Sequence, residues 1–435
     1  MKLRRTRKED SVDQEVPSMV AYKHALRIVL ESIRPLGVTR CPLEQSLGWT
    51  VAEDIRATKH LPEVDRSAMD GYALRSVDTL QAATSRPVLL EIVGEIFSST
   101  VRPAGITAGE TIAIMTGGVV PQGADTIVKR EDVESDGDTI TLRVAIPPGQ
   151  HISEKGKEMA KGSLIAKKGT MINPVAYSVL ASLRMSNVPV MKRPSVSIMV
   201  IGNELGDLAD EGDGHQIVAS NLFLLSALME NIGAQTALAR ITKDDKRAIQ
   251  ADLKECLQHN VLITTGGTWH GRSDLTRSAM ENAGIHFQFT GMSVVPGKGT
   301  SFGLFEGKPV FALPGTPSAV FAVFHTLIRP CLRKLMGQEP IGPTTIAAVL
   351  EEDLHRRPGL EHFVTGQVSQ QESGFRVRPV GKPEHPVFSA MSMANGFIVV
   401  PSGQEHLKRG AMVSVHLLEP LPSSIPLATC FERPV

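Results

Sequence analysis

The stretch 193–337 constrains the fold more than any other part of the chain. It alternates apolar runs of strand length with longer, helix-patterned segments: "VSIMVIG", then "SNLFLLSALMENIG", "TALARI", "DDKRAIQADLKECLQH", "VLITTGG", "DLTRSAMENAG", a short β segment, "KPVFALPG" and "PSAVFAVFHTLIRPCLRKLMG". Strands alternating with helices of about ten or more residues imply βαβ units on a parallel sheet. The right-handed crossover of such units brings successive strand ends to one edge, and ligands sit beyond the carboxyl ends of the strands.

The rest of the chain divides around this block. A charged stub, 1–17, precedes helical or linking segments at 18–50 and 143–192. Between them, 51–142 has short β-rich runs ("PVLLEIVGEIF", "TIAIM", "TITLRVAI") punctuated by Gly, Pro and Asp, the pattern of a β-dominated insert. The α/β block spans 193–338, and 339–425 returns to short β runs with turns, a small C-terminal β domain. The expected fold class is therefore multidomain α/β plus β. Its 435 residues suit about three domains at roughly 150 residues each.

Lys plus Arg equals Asp plus Glu at 46 each, which gives no support to a nucleic-acid or membrane-surface partner. The four cysteines, Cys41, Cys256, Cys331 and Cys430, form no CxxC pair and read as reduced, buried thiols. The N-terminal stub has no apolar core of a signal peptide, and no apolar run reaches the ~18 residues of a membrane span. A cytoplasmic protein is expected.

Four strand ends carry the polar groups of the α/β block: "IGNELGD" with Glu204, "TKDD" with Asp244 and Asp245, "TTGGTWHGRSD" with Gly266, Gly267 and Asp274, and "LPGTPS". Glycine turns leading into helices let backbone N–H groups approach an anion with no Cβ in the way. Carboxylates beside that anion would repel it unless a hard cation intervened. Mg²⁺ fits, since it takes a few carboxylates plus phosphate oxygens and water. A phosphate-bearing small molecule with metal is one reading; Asp244 and Asp274 also suit helix N-caps, and Glu204 a solvated loop. His270 has no partner at helical spacing. Neither GxGxxG nor GxxxxGK[ST] occurs, nor GxSxG or HExxH. Outside the block, "DRSAMDGYA" with Asp70 and "AIMTGGVVPQGADTIVKRED" with Thr116 are loops whose spacing fixes no role.

Taken in order, "SAMDGYA", "MTGGVVPQGADTIV", "GNEL", "SN", "DD", "ITTGG....SD", "PGK" and "LPGTPSAV" resemble the molybdopterin molybdenumtransferases, the MoeA family that includes the metal-insertion domain of gephyrin. The resemblance runs from about residue 20 to 420. It implies a helical segment, an inserted β-rich domain, an α/β molybdopterin-binding domain and a C-terminal β-barrel, and a homodimer with a cleft between the α/β domain of one subunit and the β-rich domain of the other. The family reaction cleaves the pyrophosphate of adenylylated molybdopterin with Mg²⁺, releases AMP and inserts molybdate-derived molybdenum into the dithiolene. The resemblance further implies contact with a molybdopterin adenylyltransferase and a client molybdoenzyme.

By position, Asp244 and Asp274 match acids that hold Mg²⁺. Asp70, Thr116 and Glu204 match catalytic cleft positions, and the family's "GED" acid corresponds to Glu158 in "KGKEMAKG". Gly266, Gly267, Pro314, Gly315 and Pro317 match loops that shape the pterin and phosphate pocket, and Lys298 is the lysine retained from "KPGKP". The departures cluster. Trp269 stands where the family has serine, Val295 and Gly291 where it has lysines, and "GLEHFVT" replaces "GRxEFxR". Each lost charge-assisted hydrogen bond is worth on the order of 1.5–3 kcal/mol, so oxyanion capture should weaken unless other groups replace them. Trp269 could stack on a pterin or adenine ring, or fill space left by its neighbours. Two functions follow from the resemblance: a molybdenumtransferase, or a paralogue that carries molybdopterin or finished cofactor without inserting metal.

Overall fold

The computed structural model describes residues 16–17, 19–99, 104–209, 216–267, 273–372, 374–381 and 388–418. Trp269, His270 and most of the charged stub lie outside them, and Asp274 is described in its backbone alone. The chain forms two compact units: one holds the residues up to Thr39, Gly48–Thr50 and those from Val190 on, the other Arg40–Leu47 and Val51–Pro189.

The first unit is built on a six-stranded sheet. Its order is Gln235–Thr242, Ser195–Ile201, Val261–Gly266, Lys308–Leu313, Ser301–Phe305, His286–Phe289. The first four strands are parallel, as the alternation requires. Ser301–Phe305 runs antiparallel to both of its neighbours, so the sheet is mixed, not wholly parallel. The reason is local: Glu306 and Gly307 both adopt positive φ (50° and 79°), the conformation of a tight hairpin turn, which leaves no length for a crossover. Side chains alternate between faces. Val196, Ile198 and Val200 join a core with helix residues Leu225 and Met229. Met199 and Ile201 join another with Ile249, Leu253, Ala279 and Met280. Helices thus cover both faces, and the central strands are apolar on both sides for that reason.

The segment "PSAVFAVFHTLIRPCLRKLMG" is not one regular helix. It runs as Pro317–Val323, a π-helical turn over Phe324–Ile328, and Arg329–Leu335. Pro330 cannot donate the i→i−4 bond of a regular helix, and the wider turn precedes it. Within that turn the His325 ring sits edge-on to Phe321 and Phe324 and near Phe397. Burial, reinforced by Arg329 and Arg333, pushes its pKa down to about 3, so the ring is neutral.

Beyond residue 344 five strands close on themselves: Glu361–Gln371 pairs with Gly374–Pro379 and with Gly396–Val400, and Thr345–Leu350 and Met412–Leu417 complete the ring. The result is a β-barrel, which removes the exposed edges that an open sheet would leave. The second unit is dominated by another six-stranded sheet, including Gly71–Leu74, Glu110–Ile114 and Thr126–Lys129. It also carries the helix Pro174–Ser182, capped by Asn173, whose side chain accepts from the Ala176 N–H. The described cysteines are buried. No described helix is long and apolar enough to cross a membrane.

Candidate functional site

The strand register places the site. Ile201 lies opposite Thr242 on one side and Gly266 on the other, and Thr265 opposite Leu313, so four strands end at nearly one level. The chain leaves Ser195–Ile201 toward one side of the sheet and later returns on its other side. That makes the gap between Ile201 and Gly266 the switch point at which α/β sheets bind ligands.

Glycines are required there by contact. Gly266 has φ +89°, and a Cβ on it would lie 2.2 Å from the Ile201 carbonyl oxygen. Gly267 has φ +66°, and its Cβ would meet the Thr276 hydroxyl at 2.5 Å. Asn221, near the start of the Ser220–Asn231 helix, ties the loops together. Its Nδ2 donates to the Gly315 carbonyl at 2.7 Å and to Thr265 Oγ1 at 3.2 Å. Thr265 in turn donates to the Pro314 carbonyl at 3.0 Å. The Asn221 Oδ1 is buried with no partner among the described residues. These loops frame a cleft of about 220 Å³ lined by Glu204, Asn221, Thr265, Gly266, Gly315 and Pro317. Asn221 was quoted in the "SN" match but not singled out from sequence. A buried asparagine bonding two backbone loops has no signature in spacing.

Among the acids, Glu204 is exposed and its carboxylate lies over Gly202, where a Cβ would come within 2.7 Å of Oε1. The helix cap expected of Asp244 falls instead to Asp245, which accepts from Arg247 N at 2.9 Å and Ala248 N at 3.1 Å. The Asp244 backbone N–H donates to Asn203 Oδ1 at 3.1 Å, joining the loop that carries Glu204. Asp274 lies inside the Ser273–Asn282 helix, not ahead of it, so it is not the N-cap either. Glu204 and Asp244 follow the ends of adjacent strands, and carboxylates are the ligand type that a hard cation such as Mg²⁺ takes.

Next to this edge, Val295, Ser318, His362, Thr365 and Arg356 line a narrow cavity of about 30 Å³. Val295 pairs with His362 across two strands. Burial holds the His362 imidazole below its ordinary pKa, although its Nε2 lies 3.1 Å from the Arg357 carbonyl. Arg356, 9% exposed, lines the same cavity; no motif or spacing singles it out in the sequence. Lys298 is exposed, with its carbonyl accepting from Met292 N.

The second unit has its own polar cleft, about 450 Å³, lined by Met69, Asp70, Thr116, Lys129, Arg130 and Glu131. Asp70 Oδ1 accepts from the Thr116 N–H and hydroxyl, both at 2.7 Å. These two bonds, with Arg130 adding attraction, hold the carboxyl below its usual range, so it stays ionised. Gly71 next to it cannot be replaced, since a Cβ would lie 2.0 Å from the Val128 carbonyl oxygen. Glu158 is exposed, and its N–H donates to the Leu61 carbonyl at 3.0 Å.

A doubly wound sheet with a glycine-floored, acid-rimmed cleft at its switch point defines a small-molecule binding protein of the α/β class. Comparison with known proteins makes this specific. Residues 197–334 match the family described as "Probable molybdopterin binding domain", 20–183 match "MoeA N-terminal region (domain I and II)" and 347–418 match "MoeA C-terminal region (domain IV)". The molybdopterin molybdenumtransferase of Staphylococcus aureus is 31% identical over 401 residues, 92% of this chain and 96% of its own length. That of Staphylococcus epidermidis is 30% identical over 410 residues, 94% and 97%. The crystal structure of the molybdopterin biosynthesis MoeA protein from Pyrococcus horikosii superposes with a TM-score of 0.80 at 28% identity, over 93% of this chain and all of that one. The chain belongs to the MoeA family of molybdenum-cofactor biosynthesis proteins.

Proposed function

We propose that this chain acts as a molybdopterin molybdenumtransferase on adenylylated molybdopterin and molybdate, releasing AMP and passing molybdenum to the dithiolene. The cleft at the Ile201–Gly266 switch point carries this reading: it joins bare backbone, a buried asparagine whose Oδ1 has no partner among the described residues, and a rim acid. Gly266, Gly267, Pro314, Gly315 and Pro317 present backbone to the pterin and phosphates, and Lys298 supplies positive charge from the neighbouring loop. Asp244 and Asp274 would hold Mg²⁺, which when bound supplies positive charge to the pyrophosphate oxygens. Glu204 is suited to orient the attacking water and take its proton. Asp70, kept ionised by Thr116, serves as a fixed acceptor, and Glu158 as a further acid of the same reaction.

The same reading assigns the parts of the chain as 18–50 with 143–192, 51–142, 193–338 and 339–425. It takes the protein to be a cytoplasmic homodimer that receives substrate from a molybdopterin adenylyltransferase and serves a client molybdoenzyme. The carrier reading keeps one observation in its favour: Val295 and Thr365 are uncharged on the cavity wall.

Purified full-length protein with adenylylated molybdopterin, Mg²⁺ and rising molybdate separates the two. AMP and metal-loaded cofactor that rise together establish the transferase. Tight pterin binding with no AMP under any metal condition selects the carrier. Asp274→Asn should abolish AMP release; unchanged release would remove the metal assignment.

A further inference from the structure

We infer that the C-terminal barrel carries a second metal site, for a borderline divalent ion of the zinc type, formed by Asp353, His355 and His406. It is independent of the pterin site and of its proposed Mg²⁺.

The site follows from a two-residue antiparallel pairing of Leu354–His355 with His406–Leu407. Alternation across this pair sends Leu354 and Leu407 into the barrel core and both histidines to the exposed face. Directly opposed residues have Cβ atoms about 4.5–5.5 Å apart, and here the two imidazoles stack, centroids 3.9 Å apart and planes 17° from parallel. Stacking places ring nitrogens of separate strands side by side, facing the same solvent.

Asp353 is aimed at the same point. Its Oδ1 accepts from the Arg409 backbone N–H at 2.7 Å, which fixes the carboxylate and leaves Oδ2 3.5 Å from His406 Nε2. One donor atom from each of the three residues lies within 4.8 Å of the others. Zinc bonds to nitrogen and oxygen are about 2.0–2.2 Å long, so side-chain rotation alone can close the set on one ion. Two imidazoles and one carboxylate favour zinc, cobalt, nickel or copper over Mg²⁺ or Ca²⁺, which prefer all-oxygen sets. Three protein ligands leave a coordination position for water. The bound ion would clasp the turn 351–356 to the turn 405–410, adding to the short pairing, the Arg409–Asp353 bond and the bond from Arg356 N to the Glu405 carbonyl. The alternative for the same residues is a long, solvent-screened Asp353–His406 ion pair.

The test is zinc binding to the full-length protein by competition with a chromophoric chelator, with cobalt absorption as an independent report of ligand type. Wild type should take up one tight equivalent that excess Mg²⁺ does not displace. Losing an outer-shell partner alone weakens a metal site about 10–100-fold, so His355→Ala, His406→Ala and Asp353→Asn should each weaken this one by at least about ten-fold. All three positions are exposed, so the variants should match wild type in unfolding without zinc, and only wild type should gain thermal stability when zinc is added. No tight equivalent in wild type, or an equivalent that survives in the His355→Ala, His406→Ala double variant, would overturn the inference.

Discussion

Asn221 reaches from the first turn of one helix to the Gly315 carbonyl, 2.7 Å away, in the loop that opens another. The same amide group contacts Thr265, so one buried side chain fixes the mutual position of two ligand-bearing loops. Its second polar atom, Oδ1, is buried with no partner among the described residues. Such an acceptor is costly unless something donates to it, and a pterin ring bears N–H groups.

Asn221→Ala should therefore weaken the protein and its ligand affinity together. Removing one partner of a buried hydrogen bond costs about 1–3 kcal/mol, measurable by denaturant unfolding. Asn221→Asp keeps the shape but cannot donate to Gly315, and places a charge beside an anionic ligand. It should lose pterin affinity more than Asn221→Ala does, as read by fluorescence titration with molybdopterin.

Gly266 and Gly267 differ in what a methyl group would meet. Gly266→Ala drives Cβ into the Ile201 backbone carbonyl, whereas Gly267→Ala meets a threonine hydroxyl that can turn away. Both carry the strain of positive φ for an L-residue, roughly 1–2 kcal/mol. Gly266→Ala should thus be the more destabilised of the two in thermal unfolding. Equal losses would mean that backbone strain, not the Ile201 contact, sets the requirement.

The architecture of the α/β block was legible because apolar runs of strand length alternate with segments long enough for helices. The antiparallel strand was not, since the hairpin depends on positive φ at Glu306, a residue that carries no turn signature. At the site, glycine turns and acids could be read from strand ends. The assignment of the cap to Asp245 over Asp244 could not, because adjacent aspartates are equivalent until backbone geometry separates them. Asn221 and Arg356 escaped for a similar reason: each acts through contacts distant in sequence.

His325 makes acid stability testable. When unfolded, its ring takes up a proton below its ordinary pKa of about 6.5. In the folded protein the pKa is pushed down to about 3 by burial and two arginines. The stability it contributes is whole above the unfolded pKa and declines as pH falls, by ~1.4 kcal/mol per unit until the folded pKa is reached. His325→Leu removes the titration and two ring nitrogens that have no partner among the described residues. Unfolding of wild type and variant should differ little at pH 7 and diverge in the variant's favour at pH 5. Parallel pH profiles would show that the histidine is not buried neutral.

Val295 tests what the cavity beside the sheet edge captures. It shares that wall with Thr365 and Arg356. Val295→Lys would add a charge-assisted donor, worth about 1.5–3 kcal/mol when well placed, reduced by repulsion from Arg356. Val295→Met has similar length without charge and controls for packing. If oxyanion enters here, the lysine variant should need roughly ten-fold less molybdate for half-maximal metal insertion than the methionine variant, with AMP release at saturating pterin unchanged. Identical molybdate dependence in the two variants would place capture elsewhere on the sheet edge and leave Val295 as packing against His362.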